Sequence, residues 1–302
     1  MPEQHDDPLL LVGLDAGNPL GFLAALGTLA LCDRLGHQPR MAWKPYANSY
    51  RPTLTCDPPV PAPDLAEHIA TTVKQEVDDG PPAFCAQKRI GRPRDDYRAF
   101  ARMVALQSSS SVRYPVDFAA AFAADSVLTN DQDVVPTELS FANGQSGKEL
   151  LRDYRDLVSQ LSTEQVHDAI FSQQSHAIPS KTLQWDPADY RPYAHRASDP
   201  GKRSINPVMG IPGANILGLW GMTLLPAFPF GNGLMTTGFT NLRKRWPNRR
   251  TVDYFTWPLW GRALAVDQVR RVVAMSTLHV EYPKLAELRE RSIIEVFSSE
   301  RF

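Results

Sequence analysis

The sequence predicts an α+β fold, a small mixed sheet with buried glycine-containing helices and a helical lobe. Two stretches, residues 9–35 and 204–242, are apolar and carry glycines, which is typical of helices covered on several sides. Short apolar or alternating segments near both ends of the chain are typical of strands. We therefore expect a single α+β domain over residues 1–302, with a helical insertion around residues 60–175.

The first elements follow from local signals. The apolar run Leu9–Leu14 predicts a buried strand. Asn18 is placed to cap a helix whose first residue is Pro19, and Gly36 is placed to end it. Residues 41–56 alternate and predict a hairpin that turns at residues 47–49, beside the first strand.

The later elements are predicted from periodicity and from turn residues. Helical spacing is clearest over residues 150–161, where leucines, a valine and a tyrosine recur on one face. That helix is one of three predicted within residues 116–173. Other helices are predicted at 64–77, from 94 or 95 onward, and at 213–225, 266–275 and 284–291. Short strands are predicted at 234–239, 254–257 and 293–297.

The distribution of charge is more informative than its sum. The 302 residues are 43% hydrophobic and carry a net charge of -1, so no overall field favours a polyanion. Residues 181–250, however, contain ten lysines or arginines against three aspartates, a local charge of +7 that leaves -8 for the rest. Such segregation lets one face attract phosphates, although surface charges also cluster without any binding role.

Cysteine usage and the apolar runs predict a cytoplasmic protein. The three cysteines are odd in number and far apart in sequence, which indicates reduced thiols. The opening residues MPEQHDD are acidic, whereas a secretory signal needs positive charge. Four prolines interrupt the second apolar run, and Asn18-Pro19 shortens the first, so we expect no membrane association.

Catalytic, metal and cofactor motifs are absent or incomplete in the sequence. The segment around Lys148 lacks two of the four fixed residues of a phosphate-binding loop. The sequence contains no HExxH, CxxC or GxSxG motif, so we expect no catalytic residue, metal or cofactor. His167-Asp168 is best explained as part of an exposed polar helix face, and a hydrolase using His167, Asp168 or His195 is the remaining enzymatic alternative.

Cations interleaved with aromatic residues favour binding instead of catalysis. Arginine and lysine contact phosphates, and an indole stacks on an unpaired base. Each cluster has an alternative explanation as a solvated or packed loop. The candidate nucleic-acid-binding residues are Arg243, Lys244, Arg245, Trp246, Arg249 and Arg250, then Lys88, Arg89, Arg92 and Arg94, and finally Tyr193 and Arg196 in the aromatic loop 185–203.

Three segments together resemble proteins encoded beside type I-G, formerly I-U, CRISPR loci. These segments are GLDAGNPLGFLAALGTLALCDRLG, LQWDPADYRPYAHRASDP, and GANILGLWGMTLLP followed by TTGF. The similarity runs in order over roughly residues 9–240. It implies a subunit of an antiviral CRISPR interference complex that contacts guide RNA, target DNA or neighbouring subunits and does not cut. No binding residue is carried over from the family.

Two further functions, from different classes, are therefore alternatives to a hydrolase. The first is a non-catalytic ribonucleoprotein subunit that binds the backbone of CRISPR RNA or target DNA through its basic and aromatic patches. The second is a protein-interaction subunit whose basic tract docks the helicase-nuclease or another subunit of the complex, without contacting nucleic acid.

Overall fold

The fold combines helices with several small antiparallel sheets, so the prediction of an α+β fold is confirmed. The computed structural model describes residues 7–79, 93–109, 113–140, 150–173, 177–186, 209–243, 251–280 and 283–300. Within these ranges every strand pairing is antiparallel and the strands form five separate sheets, instead of one mixed sheet.

The first part of the chain builds a three-stranded sheet and a central helix. The strands are β1 (Leu9–Leu10), β2 (Arg40–Tyr46) and β3 (Ser49–Thr55), in the order β1-β3-β2. Helix α1 spans Pro19–Arg34, the side chain of Asn18 accepts a hydrogen bond from the backbone N–H of Leu20, and Gly36 has a φ of +81°. The predicted cap, proline start and glycine end are therefore confirmed, while the first strand is shorter than expected.

Helix α1 packs directly on helix α7 (Pro212–Gly221), which continues as a 3-10 turn at Met222–Leu224. The two helices approach so closely that a β-carbon added to Gly27 would lie 1.8 Å from the carbonyl oxygen of Leu217. A β-carbon on Gly221 would lie 2.0 Å from the carbonyl oxygen of Leu23. Only glycine permits this backbone contact, which places the two glycine-bearing stretches of the sequence at the centre of the core.

The intervening chain is largely helical and packs around this pair. It contains α2 (Ala62–Asp79), α3 (Arg94–Gln107), α4 (Tyr114–Phe122), α5 (Leu150–Ser159) and α6 (Thr163–Phe171). Strands β4 (Ala123–Leu128) and β5 (Val134–Pro136) form a two-stranded sheet among these helices. The single-domain assignment and the helical insertion around residues 60–175 both stay predictions.

The last part of the chain supplies the remaining sheets. Strand β6 (Ile178–Pro179) pairs with β7 (Met209–Gly210), and β8 (Ala227–Phe230) pairs with β9 (Gly233–Thr236). The last sheet consists of β10 (Phe239–Arg243), β11 (Thr251–Trp260) and β12 (Ile293–Glu300), in the order β10-β11-β12. Helices α8 (Val266–Val273) and α9 (Leu285–Arg289) lie between β11 and β12 in sequence.

Tryptophans connect the C-terminal sheet to the first sheet. The indole of Trp257 donates a hydrogen bond of 2.9 Å to the carbonyl oxygen of Ala16, and that of Trp260 donates one of 2.7 Å to Met41. Met41 also exchanges two backbone hydrogen bonds with Leu264. Both indoles are fully buried, so β11 is fixed to the core along its second half.

Among the described helices, none combines the length and the apolarity needed to cross a bilayer.

Candidate functional site

The first predicted basic tract connects two paired strands. Arg243 is the last residue of β10, and its backbone is in register with Thr251, the first residue of β11. The tract is therefore the connection at one end of an antiparallel hairpin. Of its candidate residues, Lys244, Arg245, Trp246, Arg249 and Arg250 lie outside the described residues, as does the side chain of Arg243.

The strand that follows this tract is held in the core. Phe255, Trp257 and Leu259 are buried, and their neighbours include Phe22 of α1, whose ring lies 6.1 Å from that of Trp257. The ring of Phe255 contacts that of Phe239 on the neighbouring strand at 5.1 Å. Both arms of the hairpin are therefore packed against the apolar interior, and the backbones of Arg243 and Thr251, on either side of the undescribed residues, are paired.

The second predicted patch is represented in the structure by Arg94, since Lys88, Arg89 and Arg92 lie outside the described residues. Arg94 begins α3, and its Nε donates a hydrogen bond of 3.0 Å to the carbonyl oxygen of Asp125. The carboxylate of the same aspartate forms a 2.7 Å ion pair with Arg98. One edge of this patch is thus engaged with the protein itself, and a nucleic-acid contact by Arg94 stays a prediction.

The third predicted patch begins in the core. Trp185 is 2% exposed, and its indole donates a hydrogen bond of 2.9 Å to the carbonyl oxygen of Leu139. Its role is therefore packing, which agrees with the alternative explanation for the start of this loop. Tyr193 and Arg196 lie outside the described residues. Nearby, Lys181 forms ion pairs with Asp153 and Asp156, so part of the local positive charge is neutralised internally.

The structure contains a charged cavity of about 240 Å³ that was not predicted from the sequence. Four segments line it: the end of α1, the start of α4, the 3-10 turn after α7, and the start of α8. Asp117 is nearly buried and forms an ion pair of 2.6 Å with Arg270 and one of 3.4 Å with Arg113. Arg270 also donates to the carbonyl oxygen of Thr223 at 3.0 Å, so its guanidinium links two walls of the cavity.

Burial sets the electrostatics of this cavity. It raises the pKa of Asp117, although the charges of Arg270 and Arg113 oppose that rise. It also lowers the pKa of Arg270, against the attraction of Asp117. Asp33, at the end of α1, is exposed to solvent on one side; its pKa is raised by partial desolvation first and by repulsion from Asp267 second. The cavity therefore places three carboxylates and several guanidinium groups within mutual influence.

A second network closes one side of the cavity. Arg34 forms a 2.8 Å ion pair with Glu76 and lies 4.5 Å above the ring centre of Tyr114. The hydroxyl of Tyr114 donates to the Glu76 carboxylate at 3.1 Å. Burial alone would lower the pKa of the Arg34 guanidinium, but its interactions with Glu76 and Tyr114 outweigh that effect and leave the pKa raised. The network joins α1, α2 and α4, and its geometry is that of a structural connection.

The geometry also bears on metal binding and on serine-hydrolase chemistry. Among the described residues, no group of three histidine, cysteine or acidic side chains is arranged to hold a metal ion. His167 lies 3.8 Å from Asp168 on an exposed part of α6, where the hydroxyl of Ser172 donates to Asp168 at 2.9 Å. In a serine hydrolase the hydroxyl would instead donate to the imidazole. His195 lies outside the described residues.

Neither a scan against protein-family models nor a search of curated proteins finds a match to this chain. The function must therefore be argued from the placement of its own charged and aromatic residues. Among these, the basic hairpin connection is the feature that combines a strong local charge with two anchored ends.

Proposed function

We propose that this chain is a non-catalytic, cytoplasmic subunit of a type I CRISPR interference complex that binds the backbone of guide RNA or target DNA. The observation that carries the proposal is the register pairing of Arg243 with Thr251. It makes the tract RKRWPNRR a hairpin connection whose two ends are attached to a sheet anchored in the core. A basic segment joined to a folded sheet at both ends is confined near that sheet, whereas a basic tail is attached at one end only.

The chemistry of the tract suits a nucleic-acid strand. Each cation that neutralises a phosphate releases a condensed counterion, which makes the affinity fall steeply with salt. The five cations of residues 243–250 supply such contacts, and Trp246 supplies a ring on which an unpaired base can stack. Lys88, Arg89, Arg92 and Arg94 would extend the track, and Tyr193 and Arg196 would add a further contact.

The assignment to a CRISPR complex comes from the resemblance of the three sequence segments. Two of them form structure that explains their glycines, because α1 and α7 touch through Gly27 and Gly221. This contact concerns stability and not binding. The partners proposed here, CRISPR RNA or target DNA together with other subunits of the complex, follow from the resemblance and from the charge of the tract.

The proposal is tested by charge reversal in the tract. In the variant R243E/K244E/R245E, binding to a labelled single strand is measured by fluorescence anisotropy at several salt concentrations. Removal of three phosphate contacts is expected to lower the salt slope by about 2, at about 0.7 per contact for a single strand. A matched control, K74E/R262E/R289E, makes the same change in net charge at three exposed positions elsewhere and should retain the wild-type slope.

Two results would overturn the proposal. The first is an unchanged affinity and salt slope in the tract variant, while circular dichroism shows the wild-type fold. The second is that wild-type protein, purified from its native operon and treated with nuclease, keeps its protein partners while the tract variant loses them and neither binds nucleic acid. That second result would assign the tract to docking on an acidic protein surface.

A further inference from the structure

Two phenylalanine side chains face solvent on one short strand. Phe228 and Phe230 of β8 are 40% and 62% exposed, while every other phenylalanine, tyrosine and tryptophan that the structure describes is buried or half-buried. Side chains two positions apart lie on the same face of a strand. The residue paired with Phe230 on β9 is Gly233, which has no side chain to cover the ring. The two rings therefore form an open aromatic face on the β8–β9 hairpin.

The charge of the surrounding chain suits a polyanion. No aspartate or glutamate lies between Asp199 and Asp253, while residues 243–250 supply five cations. Strand β9 contacts β10, which leads directly into that basic tract. The aromatic face and the basic tract thus lie within one acid-free, positively charged segment, on neighbouring hairpins. Such a segment attracts a phosphate backbone, whereas acidic residues would repel it.

The size of the aromatic face argues against a protein partner. Together the exposed parts of the two side chains amount to about one phenylalanine, or roughly 200 Å². A stable protein interface buries about 800 Å² on each partner. A nucleic-acid base needs much less, because every base has a flat π-face that stacks on a single ring. Two exposed rings therefore suit bases better than a protein surface.

We propose that Phe228 and Phe230 stack on bases of a single-stranded nucleic acid whose phosphates are held by the basic tract. This inference rests on the proposed function and adds the class of strand that is bound. The α-carbons of residues two apart on an antiparallel strand are about 6.8 Å from each other. That is twice the spacing of about 3.4 Å between neighbouring nucleotides in one strand of a duplex, so the rings match an extended, unpaired strand. Stacking of this kind tolerates any base sequence.

The test compares two labelled strands of equal length, an oligothymidylate and an abasic strand, by fluorescence anisotropy at several salt concentrations. In the variant F228L/F230L both side chains stay apolar but lose their rings. Its affinity for the oligothymidylate is expected to fall about 25-fold, at about fivefold per ring, and the salt slope should not change because no charge is altered. Its affinity for the abasic strand should equal that of the wild-type protein.

Two control variants separate stacking from a general loss of apolar surface. F228W/F230W keeps an aromatic ring at both positions and should bind the oligothymidylate as tightly as the wild type. L106A/V280A shortens two exposed apolar side chains elsewhere on the surface and should also bind like the wild type. Circular dichroism checks that each variant keeps the wild-type fold.

Three results would overturn the inference and leave the proposed function standing. The first is wild-type affinity of F228L/F230L for the oligothymidylate, while R243E/K244E/R245E binds it weakly. The second is equal affinity of the wild-type protein for the two strands, which would mean that bases contribute nothing. The third is that F228L/F230L loses a protein partner from the native operon while its binding to both strands is unchanged. If the wild-type protein binds neither strand, the proposed function fails and this inference fails with it.

Discussion

Replacement of Gly27 by alanine tests the central helix contact most severely. The added β-carbon would lie 1.8 Å from the carbonyl oxygen of Leu217 and 2.6 Å from its carbonyl carbon. A carbon and a carbonyl oxygen normally approach to about 3.3 Å, so the helices must separate by roughly 1.5 Å. Since both atoms that obstruct the β-carbon belong to the backbone of α7, no side-chain rotation relieves the clash.

The magnitude follows from the size of this displacement. An insertion into a packed core costs about 1–3 kcal/mol, and a backbone clash of this kind lies at the upper end or above it. Without the contact, alanine would instead stabilise the helix by about 1 kcal/mol relative to glycine. With an unfolding entropy of about 2.1 cal/mol/K per residue, 3 kcal/mol lowers the Tm of a chain of this length by about 5 °C.

The assay is thermal unfolding followed by circular dichroism, beside a matched glycine-to-alanine control. Gly233→Ala is suitable because the nearest atom to its added β-carbon is the Phe230 carbonyl oxygen at 4.0 Å. The control should unfold within about 1 °C of the wild type, since surface substitutions of this kind change stability by about 0.5 kcal/mol or less. If Gly27→Ala is as stable as the wild type or more so, the close contact of α1 and α7 is wrong.

Two further predictions concern the ends of α1. The raised pKa of Asp33 means that its folded-state contribution to stability is present at acid pH and is lost as pH rises through that pKa. Because solvent screens this exposed carboxylate, Asp33→Asn should be only slightly more stable than the wild type at pH 7. Its advantage in Tm should vanish below the ordinary value of 3.8, and an advantage that persists there would contradict this account. Asn18→Ala removes the 2.9 Å cap on Leu20 and should cost about 1 kcal/mol, or about 2 °C in Tm, whereas Asn18→Ser should recover most of that loss.

Local signals made α1 and the first hairpin predictable. Asn18 and Pro19 begin the helix and Gly36 follows its end, where a positive φ is needed. A turn at residues 47–49 was also expected; the structure turns at residues 47 and 48, where Ala47 has a φ of +49°, and β3 already begins at Ser49. These features depend on a few neighbouring residues, so the sequence contains all the information that they need.

Strands without alternation escaped prediction. Strand β4, with the sequence AADSVL, has no clear apolar period, and β8, with the sequence AFPF, is short and contains a proline. Strand β4 pairs with β5 and β8 pairs with β9. The two pairs are also joined to each other, because Thr236 of β9 shares a buried 2.7 Å hydrogen bond with Thr137, which directly follows β5 and lies almost a hundred positions earlier. No local pattern encodes such a pairing.

The candidate sites show the same limit. Charge counting located the basic tract, and the strand pairing that holds its ends was only partly expected from the predicted strand at residues 254–257. The charged cavity brings Asp33, Asp117 and Arg270 together from separate segments. Its one local signal is the spacing of Arg113 and Asp117, which is also common on solvated helices.

The most direct test of nucleic-acid binding is to locate the contact by ultraviolet crosslinking. Wild-type protein is irradiated with bound single-stranded RNA or DNA, and peptides carrying a nucleotide are identified by mass spectrometry. Crosslinks are expected within residues 243–250, with Trp246 among them, and their yield should fall strongly as salt increases. Crosslinks confined to other parts of the chain, or no crosslink to any strand, would contradict it.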